Sequence, residues 1–180
     1  MKTVVSALEL IFLCFLITSC ANDDTQVVYV EPDNILKVGN NEFHLKSVIY
    51  QTQPTNNDLF AYEFILYDTS IMFINGEPVT QDNIVNGIAL GIYSDNSEKP
   101  SLGEYVFAEN MNPVVNTIGS ASILSNINVE DQTGNTIEIE FGILKILEND
   151  SEYVLNFDGI DEEDNEISMY YRGTLISVEN

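Results

Sequence analysis

The sequence predicts an all-β fold, and three observations carry that prediction. The apolar runs between turn signals are short and often alternate with polar residues, which is typical of strands. These runs are rich in Ile, Val, Phe and Tyr, the residues that strands favour. No stretch sustains a helical period over several turns. We therefore expect a single antiparallel β-sandwich or flattened β-barrel of roughly ten strands, connected largely as a meander.

Two runs show the alternation most clearly. Residues 42–49 place Phe43 and Ile49 on the core face, and residues 136–141 place Phe141 there. Residues 79–85 differ, because their spacing fits a single helical turn. The remaining predicted strands are residues 59–67, 71–74, 87–93, 103–108, 121–129, 143–147, 152–157 and 166–177.

Turn residues indicate how these strands connect. Gly39, Asn75 and Gly134 lie in short segments of residues that accept a positive φ, which tight hairpin turns require. The loops at residues 148–151 and 161–165 are short and polar, so the last three strands should form a meander.

The N-terminal residues have the pattern of an export signal. Lys2 precedes an unbroken apolar run at residues 10–17, which is too short to span a bilayer as a helix but fits a secretory signal peptide. Residues 17–20 read Ile-Thr-Ser-Cys. This ending resembles the lipobox of bacterial lipoproteins, in which the cysteine is diacylated and becomes the new N-terminus. The resemblance implies lipidation of Cys20.

The chain therefore divides into three predicted parts. Residues 1–19 are a signal peptide, residues 20–33 are the lipidated cysteine with a flexible acidic tether, and residues 34–180 are the all-β domain. The acids Asp23 and Asp24 resemble the acidic stretch that follows the cysteine in surface-exported lipoproteins of the Bacteroidota. That resemblance implies a lipid-anchored protein of the bacterial outer membrane that faces the cell surface.

The C-terminal part carries a second resemblance. A Gly-x-Tyr strand at residues 103–105 precedes a three-strand meander, and the last strand contains an aromatic-x-Gly-x-Leu segment at residues 171–175. This order resembles the C-terminal part of uncharacterised all-β lipoproteins of the Bacteroidota. The resemblance implies fold and location, and it supplies no catalytic residue.

The charge balance excludes one class of partner. The chain has 29 acidic and 6 basic residues, with a formal net charge of -23. Binding to nucleic acid depends on clustered Lys and Arg that displace counterions from phosphates. We therefore predict no nucleic-acid partner.

Few residues are available for catalysis, and we predict that the protein is not an enzyme. His44 is the only imidazole, and its position in the alternation places it on a polar face. Cys14 lies in the signal peptide and Cys20 is the predicted lipidation site, so neither a thiol nucleophile nor a disulfide framework is expected. A hydrolase with paired carboxylates is a third alternative, because 29 acids make a suitable pair common by chance.

One acidic loop is a calcium candidate. Asp158, Asp161, Glu162 and Asp164 concentrate oxygen ligands, which Ca²⁺ prefers, although their spacing does not match an EF-hand loop. A solvated hairpin tip is the alternative. No other cofactor is expected.

The function expected from these observations is a non-catalytic binding or structural module for a glycan or protein partner. Glycan sites usually present an exposed aromatic side chain, and the chain has no Trp, so the candidates are Tyr50, Tyr67, Tyr93 and Tyr170, which could instead cover a second core layer.

Two further features bear on function. The long connection at residues 109–120 is a candidate functional loop. The alternative function is a lipocalin-like carrier of a small apolar ligand, which a large cavity behind Phe60, Phe64 and Ile88 would favour.

Overall fold

Strands make up most of the described chain. The computed structural model describes residues 33–178 except residues 56, 75–76 and 109–112 and the side chains of residues 77–78. These residues contain thirteen strands and no helix, so the all-β prediction is confirmed. The strands are β1 (Ile35–Val38), β2 (Asn41–His44), β3 (Ser47–Pro54), β4 (Phe60–Tyr67), β5 (Ile71–Ile74), β6 (Glu77–Thr80), β7 (Ile84–Ser94), β8 (Gly103–Phe107), β9 (Thr117–Asn128), β10 (Thr133–Asn149), β11 (Tyr153–Asp161), β12 (Glu166–Gly173) and β13 (Ile176–Ser177).

Eleven of these strands form one large sheet that curls into a half-barrel, and β5 and β6 form a separate hairpin. The order across the sheet is β13-β3-β4-β7-β9-β8-β10-β11-β12-β1-β2, and β9 also pairs with β10. Among the described strands, only β8 with β9 and β13 with β3 pair in parallel. The predicted meander of the last long strands is present, because β10, β11 and β12 are consecutive neighbours.

The two edges of the curled sheet are joined by the chain itself. Leu45 and Lys46 connect β2, at one edge, to β3 near the other edge. The backbone N–H of Leu45 donates to the carbonyl of Asn34, and that of Lys46 donates to the carbonyl of Tyr67. At the far end of β12 the chain continues into β13, which pairs with β3 at Ile49.

The core lies on the inner face of the sheet. Tyr62, Phe64 and Phe157 are among its largest fully buried side chains. Tyr50 lies partly buried against this core, and its ring centroid is 6.5 Å from that of Tyr62 and 6.2 Å from that of Phe64. Other fully buried members are Leu36, Leu66, Ile88, Leu90, Ile92, Tyr105, Ile118, Leu144 and Ile146.

A bulge in β10 overturns the prediction that Phe141 faces the core. Ile139 pairs with Asp161, but Phe141 pairs with Ile160, so Glu140 is an extra residue on one strand. One extra residue reverses the side-chain alternation that follows it. Ile139 is therefore buried, and Phe141 is on the outer face with 66% of its surface exposed.

Two other sequence expectations differ from the fold. Residues 42–49 do not form one strand, because the chain leaves one sheet edge at Leu45 and begins β3 at Ser47. This break changes the alternation, so Val48 is buried and Ile49 lies on the outer face. Residues 79–85 form no helical turn, because β6 ends at Thr80 and β7 begins at Ile84.

The loop between β7 and β8 covers one end of the core. The Tyr62 hydroxyl donates to the carbonyl of Asn96 at 2.8 Å, and the Tyr105 hydroxyl donates to the carbonyl of Ser101 at 2.7 Å. The Asn149 amide donates to the carbonyl of Pro100 at 2.7 Å. Burial raises the pKa of both phenols above the usual tyrosine value, so they remain neutral donors.

The predicted signal peptide, Cys20 and nearly all of the tether lie outside the described residues. Their export and lipidation stay predictions. Residues 32–180 belong to one compact unit, which contains every described strand.

Candidate functional site

The outer face of β8, β10 and β11 carries an apolar patch, which we define as Val106, Phe141, Ile143 and Ile160. Val106 pairs directly with Ile143, and Phe141 pairs directly with Ile160. All four side chains are exposed. Because cross-strand partners lie side by side, the two pairs form one continuous apolar surface.

Charged residues border the apolar patch. The Lys145 Nζ atom lies 2.9 Å from a carboxylate oxygen of Glu104, next to the pair of Val106 and Ile143. A hydrogen bond from this ammonium to Glu104, together with the charge of the carboxylate, raises the pKa of Lys145. The rim is thus polar and the centre apolar, which is the arrangement found at protein interfaces.

A cleft of about 570 Å³ extends from the apolar patch toward β12 and β1. Its apolar lining includes Phe141, Ile143 and Ile160, and its polar lining includes Asp158, Ser168 and Lys37. Three of these polar positions form a row, because Asp158 pairs with Ser168 and Ser168 pairs with Lys37. The cleft therefore offers both apolar contact and hydrogen-bonding groups.

A second cleft, of about 380 Å³, lies on the outer face of β3, β4, β7 and β9. We call it the glycine groove, because Gly91 and Gly119 form part of its floor. Its polar lining includes Gln51, Glu63 and Ser120. The amide of Gln51 donates to the Glu63 carboxylate, which orients both side chains along the groove.

Tyr93 gives the glycine groove an aromatic wall, and a bulge in β9 explains its position. Ser120 pairs with Gly91 and Ile118 pairs with Ile92, so Gly119 is the extra residue. A Cβ atom on Gly119 would lie 2.6 Å from Cε2 of Tyr93, so only glycine lets the ring rest on the strand. The ring remains partly exposed toward the groove.

The four candidate tyrosines have different surroundings. Tyr50 is on the core side and stacks on Tyr62, so it offers no outer platform. Tyr67 is partly covered on the outer face, and burial, followed by the charge of Glu63, raises the pKa of its phenol. Tyr93 lines the glycine groove. Tyr170 is partly exposed between Ile35 and Asn156.

Asp161 turns away from solvent and organises the turn between β11 and β12. Its carboxylate accepts hydrogen bonds from the backbone N–H groups of Glu163 and Asn165, each at 2.9 Å, and from the Asn165 amide. Burial raises the pKa of this carboxyl, but the hydrogen bonds from Asn165 and Glu163 outweigh that effect, so its pKa lies below the usual value.

The other three calcium candidates are exposed, unlike the buried Asp161. Asp158 faces outward from β11, whereas Glu162 and Asp164 are exposed in the turn. Within the described ranges, no three His, Cys, Asp or Glu side chains come together as a metal-binding group. The calcium interpretation therefore rests on the sequence alone.

The remaining sequence candidates are placed as follows. His44 is exposed in β2 opposite Ile35. The candidate loop at residues 109–120 lies partly outside the described residues, and β9 already begins at Thr117. Phe64 and Ile88 are fully buried in one core cluster against which Phe60 packs, so this packing gives a carrier function no support.

Sequence reasoning missed both the apolar patch and the glycine groove. One signal for the patch is present in the sequence of β10. Apolar residues occur at odd positions through Ile143 and then at the even positions Leu144 and Ile146, so one set must leave the core. For the groove the signal is weaker, because a glycine beside a serine does not reveal which aromatic ring will cover it.

Comparisons of the chain with protein-family models, curated proteins and solved structures found no match. Within the described part of the chain, no helix is long and apolar enough to cross a membrane.

Proposed function

We propose that this protein is a non-catalytic binding protein, anchored through lipid on Cys20 to the bacterial outer membrane and exposed at the cell surface, and that the apolar patch binds a protein partner. The single observation that carries the proposal is the exposure of two directly paired apolar residue pairs on the outer face of one sheet. Contiguous exposed apolar surface rimmed by polar groups is typical of interaction sites.

The location of the patch supports a binding role over a structural one. Phe157 and Leu144 already fill the core beneath it, so the fold does not need the side chain of Phe141. Contiguous exposed apolar side chains favour association with another surface, which a partner would provide. Aromatic side chains such as that of Phe141 are also enriched in the centres of protein interfaces.

The test is a photo-cross-linking amino acid placed at position 141 of the acylated protein on intact cells. Position 147 is the matched control, because Leu147 is on the same strand and 55% exposed but outside the patch. We expect a discrete cross-linked species from position 141 that is absent from position 147. Equal cross-linking from both positions, or none from position 141, would contradict the proposal.

The membrane anchor has its own test. Replacement of Cys20 by Ala should abolish incorporation of labelled palmitate and release the protein from the membrane fraction. Protease treatment of intact cells then separates an outward-facing protein from a periplasmic one, because only an outward-facing domain is digested.

The glycine groove favours a second candidate function, binding of a glycan. Sugars bind through stacking on aromatic rings and hydrogen bonds to amide, hydroxyl and carboxylate groups, and the groove combines Tyr93 with Gln51, Glu63 and Ser120. Its volume falls within the range of about 300–1,000 Å³ that is common for ligand sites. A thermal-melt series with laminarin, mannan, xylan and dextran tests it, since a ligand of the native state raises the midpoint.

The glycine groove also offers matched variants. Gly119→Val should displace the Tyr93 ring and abolish any shift caused by a polysaccharide. Ser122→Ala, on the same strand outside the groove lining, should leave the shift intact. A series without any shift, or a shift that survives Gly119→Val, would remove this candidate.

We infer further that the curled sheet closes as a flattened barrel rather than a sandwich. Two observations support this inference: β13 pairs with β3 at Ile49 and Tyr50, and the chain passes directly from β2 to β3. Hydrogen-exchange protection of the backbone N–H of Val178, which donates to Tyr50, would report closure.

A further inference from the structure

The cleft beside the apolar patch shares its apolar lining with the patch itself. Phe141, Ile143 and Ile160 are members of the patch, and all three also line the cleft of about 570 Å³. A partner that covers the patch therefore also covers the cleft. The polar groups that line the cleft then lose contact with water, so each of them needs a hydrogen-bonding or charged partner in the complex.

Two carboxylates lie next to this apolar lining. Asp158 pairs with Ser168 across β11 and β12. Two residues further along β11, Ile160 pairs with Glu166, so the two acids are diagonal neighbours on one face of the sheet. The Cβ atoms of such neighbours are separated by about 7–8 Å or slightly less. Both acids are exposed and line the cleft, where one group placed between them would contact both.

The lysines near this pair of acids are already engaged. The Lys37 Nζ atom, which belongs to the cleft lining, lies 3.1 Å from a carboxylate oxygen of Glu42. Lys145 contacts its own carboxylate partner at 2.9 Å and acts on Asp158 only through space. Among the described side chains, none forms an ion pair with Asp158 or Glu166.

The charge of these two acids determines which partner surface fits. A neutral surface over the apolar patch would bury both carboxylates without an opposite charge, which costs several kcal/mol per ion in a fully buried site, roughly. An acidic surface would add repulsion to that cost. A cationic group would neutralise both carboxylates, and the net charge of -23 would accelerate its approach.

We propose that the cleft receives an arginine side chain of the protein partner, presented within an apolar surface. This inference rests on the proposed function, because the partner is the protein that covers the apolar patch. A guanidinium group is planar and carries five N–H donors in a fixed fork, so one group can bridge Asp158 and Glu166. Its flat face also stacks on an aromatic ring, which Phe141 provides in the cleft lining. The ammonium group of lysine is a compact, strongly hydrated charge and lacks both properties.

The probes are three short peptides that differ in one side chain: acetyl-Leu-Arg-Leu-amide, acetyl-Leu-citrulline-Leu-amide and acetyl-Leu-Lys-Leu-amide. Citrulline has nearly the shape of arginine but no charge. Each peptide is titrated at fixed ionic strength into the full-length protein, labelled with ¹⁵N and held in a neutral detergent. We expect the arginine peptide to shift the backbone N–H signals of residues 158–160 and 166–168. It should bind at least about threefold more tightly than either other peptide.

Matched variants separate the cleft from the overall charge of the chain. Asp158→Asn combined with Glu166→Gln removes both carboxylates and should weaken binding of the arginine peptide to the level of the citrulline peptide. Glu98→Gln combined with Glu130→Gln removes two exposed acids outside the cleft lining, so it changes the net charge equally. This control should bind the arginine peptide like the parent. Circular dichroism melts establish that both double variants are folded.

Four results would overturn the proposal: no shift at residues 158–168 with the arginine peptide, equal affinity for the citrulline peptide, equal affinity for the lysine peptide, or equal loss of binding in both double variants. Cross-linking from position 141 tests the proposed function separately. A discrete cross-linked species together with peptide binding that ignores charge would remove the arginine and leave the apolar patch as the binding surface.

Discussion

Phe141 and Phe157 offer a direct test of the bulge at Glu140, because they lie on neighbouring strands but on opposite faces. Phe157 is 0% exposed in the core, and replacement of such a side chain by Ala costs about 3–5 kcal/mol. Phe141 is 66% exposed. Since full burial of Phe contributes about 1.5–3 kcal/mol, the buried third of Phe141 contributes only about 0.5–1 kcal/mol.

Urea unfolding followed by far-ultraviolet circular dichroism measures both free energies of unfolding. With a slope of about 2 kcal/mol per molar urea, Phe157→Ala should lower the midpoint by about 1.5 M or more, and Phe141→Ala by about 0.5 M or less. The parent and both variants should unfold with the same slope. If Phe141→Ala were as destabilising as Phe157→Ala, Phe141 would have to be buried. That result would refute both the bulge at Glu140 and the apolar patch.

Three further predictions concern the turns. Asp161→Ala should lower the free energy of unfolding by about 2–3 kcal/mol at pH 7, because two backbone N–H groups lose a charged acceptor. The pKa of Asp161 is lowered by folding, so its contribution is complete above the unfolded pKa of about 3.9 and disappears as the pH falls through the lower folded value. Melts of parent and variant should therefore converge in acid; a constant difference would refute the role of the charge. Gly39→Ala should cost about 1–2 kcal/mol in urea unfolding, because Gly39 has a φ of 55° in the turn between β1 and β2; an unchanged midpoint would contradict that strain. Calcium at fixed ionic strength should leave the melting midpoint unchanged, because the hydrogen bonds of the turn already engage the Asp161 carboxylate; a shift lost in Asp158→Asn would instead support a calcium site.

The sequence predicted the class of fold and the C-terminal meander because alternation and turn residues are local signals. It did not predict the face of Phe141, which depends on the extra residue Glu140, or that of Ile49, which depends on the passage from β2 to β3. Whether a strand contains a bulge is decided by pairing with a partner distant in the chain. A bulge of one residue therefore leaves a weak signal in the local sequence, although it moves each following side chain of the strand to the opposite face of the sheet.

The sequence predicted the candidate sites less well than the fold. Tyr93 was recognised as a candidate aromatic, but its groove depends on Gly119, which is in a different strand and contacts the ring only because β7 and β9 pair. The acidic turn suggested a metal site through composition. Its geometry instead assigns Asp161 to backbone hydrogen bonds, a use of carboxylates that composition cannot distinguish from metal binding.

The pairing of β1 with β12 has a consequence for how the chain folds. Ile35 pairs with Tyr170, and the side chain of Asn34 exchanges hydrogen bonds with the backbone of Arg172, 138 residues away. Contacts between such distant segments form slowly, and until β12 exists β1 can pair only with β2. The hairpin of β1 and β2 can therefore join the large sheet only after β12 has been synthesised, so this edge of the sheet depends on nearly the whole chain.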